Sequence, residues 1–160
     1  MIAILADTHM PRGARRLPEH CVELITAAEA VIHAGDFFAA SALEEVQALC
    51  PVVHAVHGNV DEAPLRRSLP AELEVEIGRR TVAITHDAGA AKGRLARLRR
   101  RFPAADAVVF GHSHLPLHEV EGGFQIFNPG SPTERRRAPR RSMGLLNCEK
   151  TGLVFEHVWL

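Results

Sequence analysis

Short apolar runs recur along the chain as IAILA, AVIHA, VVHAV, VAIT and AVVF. They are too short for helices and rich in β-branched residues, which predicts buried strands. Helical periodicity fills the gaps between the early ones. From Leu17, the positions Leu17, Cys21, Leu24, Ile25 and Ala28 share one face, with Glu19, His20 and Glu23 turned outward. A second helix opens at SALEEVQAL, where Ser41 and Glu44 have the spacing of a capping box. Strand, helix, strand, helix, strand predicts a parallel α/β beginning. After Pro70 the pattern changes: LEVEIGRRTVAIT alternates on both sides of Gly78 and predicts a hairpin. A third helix, around Lys92 to Phe102, would bury Leu95, Leu98 and Phe102. LPLHEV, FQIFN, GLLNC and LVFEHV predict further strands, which makes the second half mostly antiparallel β.

Length and charge narrow the picture. The 160 residues suit a single domain, 1–160, and show no internal repeat or low-complexity linker. Nineteen basic and nineteen acidic residues cancel, so the totals point neither to a nucleic-acid track nor to a membrane surface. The opening MIAILADTHMPRG has no basic leader, and no apolar stretch approaches the roughly 20 residues of a spanning helix. A soluble, cytoplasmic protein is expected. Cys21, Cys50 and Cys148 are widely separated, which predicts buried free thiols rather than a disulfide framework or a zinc site.

The polar residues that follow the strands carry the chemistry. ADTH supplies Asp7 and His9, AGD supplies Asp36, HGN supplies Asn59, ITH supplies His86, and GHSH supplies His112 and His114. The carboxyl ends of parallel strands lie along one rim, so residues distant in sequence can meet there. Singly, each has a plainer explanation: an Asp or Asn after a strand caps a helix or makes a turn, and a lone His is usually structural. Together, several imidazoles beside carboxylates require something positive to satisfy them. Nitrogen and oxygen donors without thiolate suit first-row divalent ions, Mn, Fe, Co, Ni or Zn. Seven donors exceed the needs of one ion and suit two that share a carboxylate, as in phosphate-ester hydrolysis.

The ordered series DTH, GD, GN, TH and GHSH resembles the calcineurin-like metallophosphoesterases, and NPGSP, Asn128 to Pro132, resembles their small YfcE-type phosphodiesterase branch. The resemblance implies a four-layer α/β/β/α sandwich of two mixed sheets. It further implies two divalent cations, manganese first among them. Asp7, His9, Asp36 and His114 would hold one, and Asp36, Asn59, His86 and His112 the other. A hydroxide shared by the cations would attack phosphorus in line, on a small phosphate-ester substrate. Phosphomonoesterase and nuclease activities are alternatives within that class. A non-catalytic interaction scaffold, like the retromer subunit of this superfamily, is the alternative outside it; the full donor set favours the enzyme. A homo-oligomer is left open. Many relatives carry a histidine after the GN asparagine, where this chain has Val60. Its absence suits acidic leaving groups, or a proton-donating water held by His57 or Asp61. Asp87 would either orient His86 or make a surface turn.

Other polar residues have plainer expectations. Arg135, Arg136, Arg137, Arg140 and Arg141 sit on a loop after NPGSP and could meet phosphate oxygens, although such runs are usually solvated. Arg94, Arg97, Arg99, Arg100 and Arg101 read as the solvated face of the third helix. His33 and His54 read as hydrogen-bonded core residues. His20, His118 and His157 need no function.

Overall fold

The computed structural model describes residues 1–160. The early runs form β1 (Ile2–Leu5), β2 (Ala30–His33) and β3 (Val53–Ala55). They pair in parallel, Leu5 opposite His33 and His33 opposite Ala55. Parallel neighbours need a crossover between them, which α1 (Glu19–Thr26) and α2 (Ala40–Leu49) provide. β1 and β2 are buried throughout, as continuous apolar runs demand. β3 is instead a half-buried edge strand, because nothing pairs beyond it.

Two helix starts differ from expectation. Leu17 is buried but precedes α1, whose apolar anchors are Cys21 and Ile25. Ser41 lies inside α2, which begins after an extended Ala39 with no side-chain cap, so the Ser41/Glu44 capping box does not form. Tertiary pairing decides this start: Phe38 bridges Met10, and the Ala39 N–H donates to the Met10 carbonyl at 3.2 Å.

The hairpin forms as β4 (Glu72–Ile77) and β5 (Arg80–Thr85), joined by a two-residue turn with Gly78 at φ 64°. A short α3 (Ala63–Ser68), started by a proline and burying only Leu65, precedes it. Too few residues are involved for periodicity to reveal it. α4 (Arg94–Arg101) then leads to β6 (Ala107–Phe110), β7 (Leu117–Glu121) and β8 (Phe124–Asn128). The sheet order is β4-β5-β6-β8-β7. The expected antiparallel pairing holds for β4 with β5 and for β7 with β8, but β5, β6 and β8 run parallel to one another. α4 carries one crossover, and β7 lies outside β8, so β8 folds back beside β6. Finally β9 (Ser142–Glu149) and β10 (Gly152–Trp159) extend the first sheet as β10-β9-β1-β2-β3, with β9 antiparallel to β1.

The two mixed sheets face each other across a core that includes Ile4, Ile32, Val82, Ile84, Val109 and Phe127. Alternate residues point outward. Leu5 and Val31 meet Cys21, Ile25 and Val46 of α1 and α2, while Val108 and Phe110 meet Leu98 and Phe102 around α4. Four layers, α/β/β/α, result. Cys21 and Cys50 are buried free thiols, whereas Cys148, near the outer end of β9, is exposed. No helix is long and apolar enough to cross a membrane.

Candidate metal centre

The seven donors converge. Asp7, His9 and His114 form one group and Asp36, His86 and His112 a second, each with its ligand atoms within 4.8 Å of one another. Asp36 touches both: its Oδ2 is 3.3 Å from His9 Nε2 and 3.2 Å from His86 Nε2. Asn59 Oδ1 lies 3.1 Å from His86 Nε2 and 3.0 Å from His112 Nδ1, which joins it to the second group.

Local backbone makes this convergence feasible. Asp7, His9, Asp36, His112 and His114 all have left-handed φ, between 48° and 68°. Each such non-glycine residue costs on the order of 1–3 kcal/mol. The strands end in sharp reversals, and in HSH the alternate histidines reach different groups. Glycines allow the close approach of neighbouring loops. A Cβ on Gly58 would collide with the Asp36 carboxylate, and one on Gly111 would lie 2.9 Å from Ala6 Cβ and 3.1 Å from Asp7 Oδ2.

Contacts behind the donors aim them. The His86 Nδ1–H donates to the Ala34 carbonyl at 2.8 Å, which leaves Nε2 for the centre. Asp36 Oδ1 accepts the Val60 N–H at 3.0 Å, so Oδ2 faces the histidines. Asp61 is buried, and its carboxylate accepts backbone N–H groups from Phe38 (2.7 Å), Gly58 (2.7 Å) and Asp36 (3.1 Å). It therefore clamps the GD loop to the GN loop. Asn128 ties in the GHSH loop, its Nδ2–H donating to the Gly111 carbonyl at 2.9 Å.

Sequence reasoning missed Glu134. Its Oε2 is 3.2 Å from His9 Nδ1 and 3.8 Å from His114 Nδ1. Ser131 and Thr133 donate to the carbonyls of Asp7 and Thr8 at 2.8 and 2.7 Å, which straps this segment to the DTH loop. The only signal was an acidic residue directly between NPGSP and the arginine run.

The electrostatics show an unmet demand for positive charge. Asp7 Oδ2, both ring nitrogens of His114 and Glu134 Oε2 are buried without hydrogen-bond partners. Glu134 Oε2 is within ion-pairing distance of His9 but is not aligned for a hydrogen bond. Burial, with nearby Asp36, pushes the Asp7 carboxyl up to about 7 against the pull of His86 and His9. Burial also pushes His114 down to about 4, helped by Arg136 and His9. For Asp36 burial opposes ionisation, but hydrogen bonds from His86 and His9 hold it well below the usual carboxylate range. His86 is raised to about 9, because Asp36 and Asp7 outweigh its burial. Buried, unpaired donors of this kind fit divalent cations, which would neutralise the carboxylates and coordinate the idle nitrogens.

Beside the second group opens a cleft of about 280 Å³, lined by His57, Asn59, His86, His112 and Arg101 among others. Arg101 is thus not merely solvated: it pairs with Glu72 and donates to the Asp87 carbonyl at 3.2 Å, next to His86. Arg97 bonds the carbonyls of Ala88, Ala90 and Lys92, and Arg94 that of Gly89, so the helix arginines grip the loop after β5. The Asp87 carboxylate accepts the Gly89 N–H at 2.7 Å and makes a turn rather than supporting His86. Arg135, Arg136, Arg137, Arg140 and Arg141 are exposed, and Arg136 Nε lies 3.5 Å from Glu134. His33 is a core histidine with Thr8 and Gly35 as partners, and burial pushes it down to about 3. His54 is only half-buried.

Comparison with known proteins agrees with this geometry. A calcineurin-like phosphoesterase superfamily domain model matches residues 1–151. The chain is 32% identical over 143 residues to a probable metallophosphoesterase of Methanothermobacter thermautotrophicus, covering 85% of this chain and 79% of that protein. Among solved structures, Vps29 of Entamoeba histolytica complexed with zinc has a TM-score of 0.78 at 20% identity, covering 99% of this chain and 98% of that one. An archaeal phosphodiesterase has a TM-score of 0.74 at 22% identity, covering 99% of each chain. Fold and donor set define a metal-binding sandwich of the phosphoesterase kind. The chain belongs to the calcineurin-like phosphoesterase superfamily.

Proposed function

We propose that this protein hydrolyses phosphodiester bonds with the aid of two divalent cations, manganese first among them. The observation that carries the reading is Asp36 Oδ2, within 3.3 Å of a histidine from each donor group. Asp7, His9, His114 and Asp36 would hold one cation, and Asp36, Asn59, His86 and His112 the other. When bound, such a pair supplies Lewis acidity and lowers the pKa of water toward neutrality.

The residues of the chain do the rest. Val60 and Asp61 hold the Asp36 and Asn59 loops in register. The adjoining cleft takes the ester substituent, with Arg101, anchored by Glu72 and the Asp87 carbonyl, adding positive charge to its wall. Its modest volume suits a small phosphate ester better than a nucleic-acid strand. Val60 offers no proton, and among the residues lining the cleft His57 is the histidine outside the donor set. Esters with acidic leaving groups, which need little protonation, are therefore the preferred substrates. A scaffold role is the second reading, favoured by the likeness of fold to Vps29; the complete donor set speaks for catalysis.

The test is hydrolysis of bis(para-nitrophenyl) phosphate and of para-nitrophenyl phosphate after loading with each divalent ion. The diester should be turned over faster, and Asp36→Ala should lose roughly 100-fold or more while keeping its fold. Equal activity in Asp36→Ala would refute the site. A native protein inert with every ion would leave the scaffold reading.

A further inference from the structure

The two donor groups are supported differently from behind. In the second, His86 leans on the Ala34 carbonyl, and His112 meets only Asn59 and His86 through its side chain. In the first, both histidines turn their rear nitrogens toward one carboxylate, Glu134. The opposite nitrogens face the centre: His9 Nε2 is 3.3 Å from Asp36 and His114 Nε2 is 3.4 Å from Asp7.

Glu134 is itself held firmly. Arg15 lies 3.2 Å from its Oε1 and Arg136 3.5 Å from its Oε2. Its own N–H donates to Ser131 Oγ at 3.0 Å, the same hydroxyl that is bonded to the Asp7 carbonyl. Its side chain is only 25% exposed, and Oε2 is left without a hydrogen bond. A carboxylate serving only to join Arg15 and Arg136 would have no reason to direct that oxygen at two imidazoles.

We propose that Glu134 is a positioning residue for the Asp7–His9–His114 donor set, fixing His9 and His114 so that one cation position depends on it and the other does not. This rests on the two-cation reading. A carboxylate behind a ligating histidine sets its tautomer and ring orientation and raises its basicity, and its removal typically weakens metal binding roughly 10–100-fold. Asp36 belongs to both sets, but Glu134 does not touch it, so the loss should stay on one side.

Calorimetric titration of the metal-free protein with Mn²⁺ tests this. The native protein should take up two equivalents. Glu134→Ala should weaken one of them by roughly 10–100-fold and Glu134→Gln by less, with the other unchanged and the circular dichroism native-like. Adding His86→Ala to Glu134→Gln should leave only the weakened equivalent. Two unchanged equivalents in Glu134→Ala, or equal weakening of both, would overturn the proposal while the two-cation reading stands. A native protein that binds no Mn²⁺ would remove that reading, and this inference with it.

Discussion

Residues at the centre are poised against their own environment. At neutral pH without metal, His86, raised to about 9, carries its proton, and Asp7, raised to about 7, is about half protonated. Coordination requires both to be deprotonated. The sign follows: protons compete with the metal, so affinity rises with pH until about 9. Loading the centre at pH 7 should release between about one and two protons, measurable by titrating in buffers of different ionisation enthalpy. Proton release near zero would mean that the donors are already free. The seven donors were legible because each follows an apolar run directly, in an order that belongs to a known family. Glu134 and Arg101 were not, because their significance lies in which nitrogen or carbonyl they meet across the fold. The clamping role of Asp61 was hidden for the same reason: nothing in GNVD tells that its carboxylate accepts three backbone N–H groups.

At the scale of elements, α4 shows how a basic helix face can be structural. Arg97 alone reaches three carbonyls of the loop after β5, and Arg94 stacks over Phe110 at 5.1 Å. Hydrogen bonds from a charged donor are worth about 1.5–3 kcal/mol, discounted here because part of the guanidinium is exposed. Arg97→Ala should cost on the order of 1–2 kcal/mol and speed amide hydrogen exchange of residues 87–92, with little change elsewhere. Uniform exchange across the chain would contradict that local role. Strands were legible from their apolar runs, and the β4–β5 hairpin from alternation around Gly78. The Ser41 cap and the pairing of β8 were not, since Met10 settles the first and the placement of β7 outside β8 settles the second.

Over the whole molecule, the sheets are keyed together by size. Phe127 is fully buried between them, stacked on Phe155 at 4.9 Å and on His157 at 4.4 Å, and it lies where a side chain on Gly144 would collide with it. Phe127→Ala should cost about 3–5 kcal/mol and lower the melting temperature by roughly 10 °C for a chain of this length. A drop below a couple of degrees would mean that the cavity had closed by repacking.

The donors come from both halves of this sandwich. Asp7, His9, Asp36 and Asn59 follow strands of the first sheet, whereas His86, His112 and His114 follow strands of the second. Any ion seated among them is a rivet through the rim, so prising the halves apart and surrendering the ion become a single event. Catalytic readiness and resistance to unravelling would then rise and fall together with the supply of metal.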